Sequence, residues 1–145
     1  MTLHVGFTGT QTGMTGPQQT RAYRLLLALK ATVLHHGDCI GADDQMDRIG
    51  RELGLTIYIH PPTNPSKRAW CNTLPIGETW TEFPAQPYLT RNKAIVDSVR
   101  TLIAAPKSMT EELRSGTWST VRYARKPGWT VLVVWPDGSQ TVDWA

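Results

Sequence analysis

Apolar residues occur along this chain in two spacings, as short unbroken runs and as single positions three or four apart, and the two spacings alternate. Leu3 to Thr8 (LHVGFT) is an apolar run that stops at GTQTGMTGP, which predicts a buried strand followed by a Gly/Thr-rich loop. Pro17 suits the first turn of a helix, where its missing N–H costs nothing, and Ala22, Leu25, Leu26 and Leu29 give that helix one apolar face. ATVLHH, Ala31 to His36, reads as a second strand and completes a β-α-β unit. After the loop GDCIGAD (Gly37 to Asp43), Ala42, Met46, Ile49 and Leu53 lie on one helical face with Gly54 as a stop, and LTIYIH, Leu55 to His60, is a third strand.

From Pro61 to Pro87 the periodicity is lost in Pro, Asn, Thr and Trp, a connection long for a compact domain and read as a flap. A helix over about 88–99, a strand at Leu102 to Ala105, a helix opening at Gly116 and a strand at Thr130 to Trp135 continue the alternation. The turn Pro136–Asp137–Gly138 predicts a short last strand returning along an edge. Strands alternating with helices imply an α/β fold of three layers: a mostly parallel five-stranded sheet, order 3-2-1-4-5, with an extra edge strand.

Length supports one domain over residues 1–145, enough to bury a core without staples. The 40% hydrophobic and 19% charged composition is that of a globular chain, and no run approaches the eighteen or so apolar residues that span a bilayer. No basic leader precedes the first strand, so a cytoplasmic protein without membrane attachment is expected, with Cys39 and Cys71 as free thiols. The net charge of +3 permits an anionic ligand, but the basic residues are spread along the chain, a poor footprint for nucleic acid.

In the predicted sheet, strands one and four are neighbours whose crossovers leave in opposite directions, and ligands of such sheets bind at the carboxyl ends of those strands. The loops Gly9 to Gly16, Gly37 to Asp43 and Pro106 to Gly116 therefore converge on one rim. Glycine lets backbone N–H groups approach an anion, Thr and Ser hydroxyls add hydrogen bonds, and helix N-termini add a positive dipole end. A phosphate is the ligand these residue types suit, although each loop alone would read as turn and cap.

GDCIGADDQMD (Gly37 to Asp47) resembles the GGxxGxD segment, and RSGTWSTV the PGGxGTxxE segment, of the SLOG superfamily of Rossmann-like nucleotide-binding domains, which includes Lonely Guy phosphoribohydrolases, DNA-processing protein A and YspA-like proteins. YLTRNKAIVD (Tyr88 to Asp97) resembles the superfamily's Arg-Asn stretch, whose arginine contributes to the ligand site. The resemblance implies a ligand site formed by Gly9, Thr10, Thr12, Gly37, Asp38, Gly41, Asp43, Arg91, Asn92, Ser115, Gly116, Thr117 and Thr120, and homo-oligomers among the relatives.

One departure matters. The glutamate that ends GTxxE and serves base–ribose cleavage in the phosphoribohydrolases is Thr120 here. Glycosidic cleavage needs a carboxylate, and the rim offers Asp38 and Glu112; Asp43 is better suited to capping a helix. Three readings stand in order: binding of a nucleotide or nucleotide-derived signal without cofactor, N-glycosidic hydrolysis of a nucleoside monophosphate, and single-strand DNA binding. His35, His36, Asp38, Cys39 and His60 cluster in sequence near two strand ends, but no HExxH or CxxC spacing supports a metal, and none is expected. Trp70, Trp80 and Phe83 on the flap are aromatic faces suited to covering a base or anchoring the loop.

Overall fold

The computed structural model describes residues 2–73 and 79–143. Along the chain they form β1 (His4–Gly9), α1 (Gly16–Leu29), β2 (Val33–His36), α2 (Ala42–Glu52), β3 (Thr56–Ile59), β4 (Trp80–Glu82), α3 (Tyr88–Asp97), β5 (Thr101–Ala105), α4 (Gly116–Arg125), β6 (Thr130–Val134) and β7 (Gln140–Asp143). The strands make one sheet in the order β4-β3-β2-β1-β5-β6-β7, parallel except for β7. The expected five-strand order survives as its centre, β3-β2-β1-β5-β6.

The expectation of five strands is corrected to seven. The antiparallel β7 is the edge strand that the Pro136–Gly138 turn announced. β4 lies within the segment read as a flap and pairs in parallel with β3 through Ile57↔Trp80 and Ile59↔Glu82. Its three residues are all exposed, so it carries no apolar run. Backbone pairing alone makes it a strand, and hydrophobic periodicity does not report such an edge. Short 3₁₀ turns at Pro65–Lys67 and Cys71–Thr73 structure the same connection, and part of the expected flap, residues 74–78, lies outside the described residues.

Alternate residues of the central strands enter separate cores. Val5, Phe7, Leu34, Ile57, Ile103 and Leu132 pack with Ala22, Leu26 and Met46 of α1 and α2, whereas Leu102, Ala104, Val131 and Val133 pack with Val96, Trp118 and Val121 of α3 and α4. Burial on both faces is why these strands read as unbroken apolar runs. Over β2 and β3 the second face is filled by rings instead: His4 Nδ1 is 2.8 Å from His35 Nε2, His35 Nδ1 is 2.9 Å from His60 Nε2, and Tyr58 stands edge-on to His35.

β1 and β5 run side by side from Val5↔Thr101 to Gly9↔Ala105, and the Thr10 N–H extends the pairing to the Ala105 carbonyl at 3.0 Å. Since β1 leads to α1 on one face and β5 to α4 on the other, the chain parts at this point and leaves a crevice. Two devices hold its walls. Thr15 caps α1 in a reciprocal capping box with Gln18, and the fully buried Gln18 side chain donates to the carbonyls of Pro106 (2.8 Å) and Val134 (3.0 Å).

Candidate functional site

An open cleft of about 330 Å³ lies at the carboxyl ends of β1 and β5. Gly9, Thr10, Gln11 and Thr12 form one wall, while Ser115, Gly116 and Thr117 at the start of α4 form the other. The first wall is braced internally, with Thr10 Oγ1 2.8 Å from Thr12 Oγ1 and accepting from the Thr12 N–H at 3.2 Å. Its position is set by α2, whose first N–H, from Ala42, donates to the Thr10 carbonyl at 3.0 Å. On the second wall Ser115 caps α4 by accepting from the Trp118 N–H at 3.3 Å, so the opening turn of a ten-residue helix faces the cleft.

Charge enters from the loop after β5. Lys107 and Arg114 line the cleft beside Glu112, whose carboxylate accepts from Ser108 Oγ at 2.8 Å and lies 3.9 Å from Lys107 Nζ. The β1 loop carries no charged residue. Lys107, Arg114, Gln11 and Tyr88 also line this cleft, beyond the site residues expected from the sequence. Their signal is weak there, because lysine and arginine in a loop read as solvated surface until the fold brings the opposite wall to them.

Adjoining the cleft is a second, much smaller space of about 10 Å³, bordered by Gly37, Cys39, Asp43, Arg91, Asn92 and Thr120. Gly9, Gln11 and Tyr88 border both spaces. Arg91 is buried at 2% exposure, and its guanidinium donates to the carbonyls of Gly37 and His60, with Nη2 3.6 Å from Cys39 Sγ. Its Nε donates to Asn92 Oδ1 at 2.7 Å. Arg91 thus borders the inner space, and its donors hold the loops after β2 and β3 together. Thr120 donates its hydroxyl to the Gly116 carbonyl at 2.9 Å, an internal helix bond.

Asp43 has one carboxylate oxygen accepting from the Cys39 N–H at 3.2 Å, while Oδ1 has no protein partner although the residue is only 6% exposed. Burial pushes its carboxyl above the ordinary range, and burial together with this neighbouring carboxylate raises the Cys39 thiol.

Two expected site residues lie outside both spaces. Asp38, read as a freer acid–base group, is fully buried: Oδ2 accepts from Arg68 Nε at 2.6 Å and Oδ1 from the Cys71 N–H at 2.9 Å. That reading is corrected, since both oxygens fasten the Pro61–Pro87 connection to the body. Gly41 supplies backbone geometry: with φ +87° it precedes α2, and a Cβ there would lie 2.8 Å from the Thr10 carbonyl oxygen. The aromatic residues of the connection do not border either space; Phe83 stacks on His60 at 4.4 Å and Arg68 lies over Trp70 at 4.0 Å.

His36, Asp47 and Cys71 bring three ligand-type atoms within 4.8 Å of one another, all buried. Proton placement argues against a metal there. His36 Nδ1 accepts the Asp38 N–H at 2.9 Å, so the ring proton sits on Nε2 and is donated to Asp47 Oδ1 at 2.7 Å. Asp47 Oδ2 accepts from Arg51 Nε at 2.7 Å, which completes a neutralised buried chain.

No protein-family model and no curated protein matches the chain. Solved structures do. The molybdenum cofactor binding protein of the phototrophic bacterium Rippkaea orientalis superposes with a TM-score of 0.68 at 20% identity, over 93% of this chain and 77% of that one. DNA processing protein A of Streptococcus pneumoniae gives 0.66 at 17% identity, over 91% of this chain and 50% of that one. The same protein from Helicobacter pylori, described for its single-stranded DNA binding mode, gives 0.65 at 19% identity, over 90% and 64%. These likenesses show a shared Rossmann-like α/β fold. In this chain the cleft occupies the sheet's switch point between β1 and β5. Among the described residues no helix is long and apolar enough to cross a membrane.

Proposed function

We propose that this protein binds a nucleotide or nucleotide-derived small molecule, with a phosphate group held in the outer cleft. The supporting observation is that the Gly9–Thr12 loop and the N-terminal turn of α4 face each other across about 330 Å³, with Lys107 and Arg114 at the rim. That volume lies at the lower end of the roughly 300–1,000 Å³ range of small-molecule sites. Backbone N–H groups and hydroxyls on two walls, a helix N-terminus and two cations match an anion with several acceptor oxygens.

Titration calorimetry of the intact chain with inorganic phosphate, nucleoside mono- and diphosphates and molybdenum cofactor tests the proposal. Monophosphates are expected to bind more tightly than the matching nucleosides; equal affinity with and without the phosphate overturns it. Binding of molybdenum cofactor alone would instead align the ligand with that named for the Rippkaea protein.

Glu112 supports a second reading, N-glycosidic hydrolysis of a nucleoside monophosphate, because its carboxylate stands on the cleft wall. Release of free base by the native chain, lost in Glu112→Gln, would establish it. Single-strand DNA binding is the weaker reading. It calls for a basic groove with stacking aromatics, whereas Trp70 and Trp80 do not border the cleft.

A further inference from the structure

The carboxyl edge of the sheet carries a second cleft, at the end of β6 and outside the crevice between β1 and β5. It lies between α1 and the turn that joins β6 to β7, encloses about 330 Å³, and is lined by Pro17, Thr20, Arg21, Arg24, Asp137 and Gly138. Positions 17, 20, 21 and 24 recur at the three-and-four spacing that puts residues on one face of a helix, so α1 presents its wall as a single stripe. None of these residues lines the outer cleft.

The opposite wall is seated closely on α1. The Thr15 hydroxyl donates to the Pro136 carbonyl at 2.7 Å, and the Gly138 N–H donates to the Trp135 carbonyl at 2.8 Å. Gly138 has φ +86°, and a Cβ there would lie 2.8 Å from Pro17 Cβ, so glycine is what lets the turn rest this near the helix. Arg21 Nε then donates to the Gly138 carbonyl at 3.0 Å, which fixes the plane of its guanidinium.

The charges on these walls are left unmatched. Arg48, Arg51, Arg68, Arg122 and Arg125 each meet a carboxylate, but among the described residues neither Arg21 nor Arg24 has one within 4.0 Å. Arg21 Nη1 and Nη2, the Arg24 guanidinium and the Thr20 hydroxyl have no hydrogen-bond partner among those residues. The acid in the same cleft does not neutralise them. Asp137 Oδ1 accepts from the Ser139 N–H at 2.9 Å and from Ser139 Oγ at 2.6 Å, while Oδ2 accepts from no described residue. One unpaired arginine is an ordinary solvated side chain. Two on one helical stripe, sharing a cleft with a carboxylate they do not pair with, make a set of donors with a single acceptor beside it.

We propose that this cleft is a phosphate site, separate from the outer cleft. Arg21, Arg24 and Thr20 donate to the oxygens of the anion, and Asp137 Oδ2 accepts the proton that the anion retains. That acceptor sets the ligand. At neutral pH inorganic phosphate keeps a P–OH to donate, whereas sulfate has no proton and meets the carboxylate as a like charge. The ligand is therefore hydrogen phosphate, and the phosphate of a monoester fits only in its protonated form.

Sodium phosphate and sodium sulfate, titrated into the intact chain at neutral pH and constant ionic strength, are the probes. Arginine Nε–Hε signals are followed by NMR, with those of Arg21 and Arg24 assigned from Arg21→Lys and Arg24→Lys. Both signals are expected to move along one saturating curve with phosphate, and sulfate is expected to bind about threefold or more weakly, the size of one hydrogen bond. Asp137→Asn should remove that preference, because an amide can donate to either anion. The Lys107→Ala/Arg114→Ala double variant should leave the curve unchanged. Signals unmoved by phosphate, equal affinity for sulfate, a preference that survives in Asp137→Asn, or a curve lost in the double variant each overturn the proposal. Failure of the outer cleft to bind a phosphate, with the Arg21 and Arg24 signals still responding, refutes the function proposed above and leaves this site standing.

Discussion

Arg68 reaches back to Asp38 and donates Nε to its carboxylate at 2.6 Å, while Nη2 of the same guanidinium donates to Glu82 on β4 at 2.7 Å. One side chain thus ties the loop after β2, the Pro61–Pro87 connection and the edge strand together. Arg68→Ala leaves a fully buried Asp38 charge without its cation, which should cost about 3–5 kcal/mol of stability. Urea unfolding measures the loss, and limited proteolysis should show earlier cleavage between residues 61 and 87. An unaltered unfolding midpoint would mean that Arg68 does not fasten this segment.

Acid should destabilise the fold through the ring cluster. Burial, reinforced by the neighbouring histidines, lowers His35 to about 3; burial, reinforced by His36 and Arg91, lowers His60 to about 4. Unfolding restores both to about 6.5, so below that pH the unfolded chain binds more protons than the folded one. Stability is therefore complete above about pH 6.5 and declines as pH falls toward 4, with a slope of up to about 1.4 kcal/mol per pH unit for each histidine. Thermal melts between pH 7 and 4 read this slope, and His35→Phe should flatten it.

Gly41→Ala should damage the cleft from outside it. The added Cβ would lie 2.5 Å from the Gln11 carbonyl carbon at a backbone φ of +87°, so the β1 loop or the start of α2 must shift. The expected cost is about 1–3 kcal/mol. Calorimetry should show weaker phosphate binding as well, although residue 41 itself does not line the cleft. Unchanged binding would show that the loop position is not set from α2.

Lys107→Ala and Arg114→Ala remove cations that are solvent-exposed, so each should weaken binding of a nucleoside monophosphate only modestly, by up to about fivefold. The double variant should also bind with a shallower dependence on salt. Titrations at two salt concentrations measure both effects. A steep salt dependence that survives in the double variant would place the anion elsewhere.

The alternation of apolar runs with helically spaced apolar residues determined the layered α/β architecture and its central strand order. Both are consequences of burying each strand on two faces and each helix on one. The convergence of the loops after β1 and β5 was equally legible, since strand order alone brings Gly9–Thr12 and Ser115–Thr117 to one rim. Tertiary structure decided what each polar residue does there. Asp38 and Arg91 lie in segments that read as ligand loops, yet their partners, Arg68 and the carbonyls of Gly37 and His60, are distant in sequence or belong to the backbone. β4 left no trace because an exposed edge strand is defined by hydrogen bonds to its neighbour. Tyr88 joined the cleft lining only when α3 packed against Gly116. Periodicity reports which face of an element leaves water; the use of a buried polar group depends on which donors and acceptors the fold brings within about 3 Å of it.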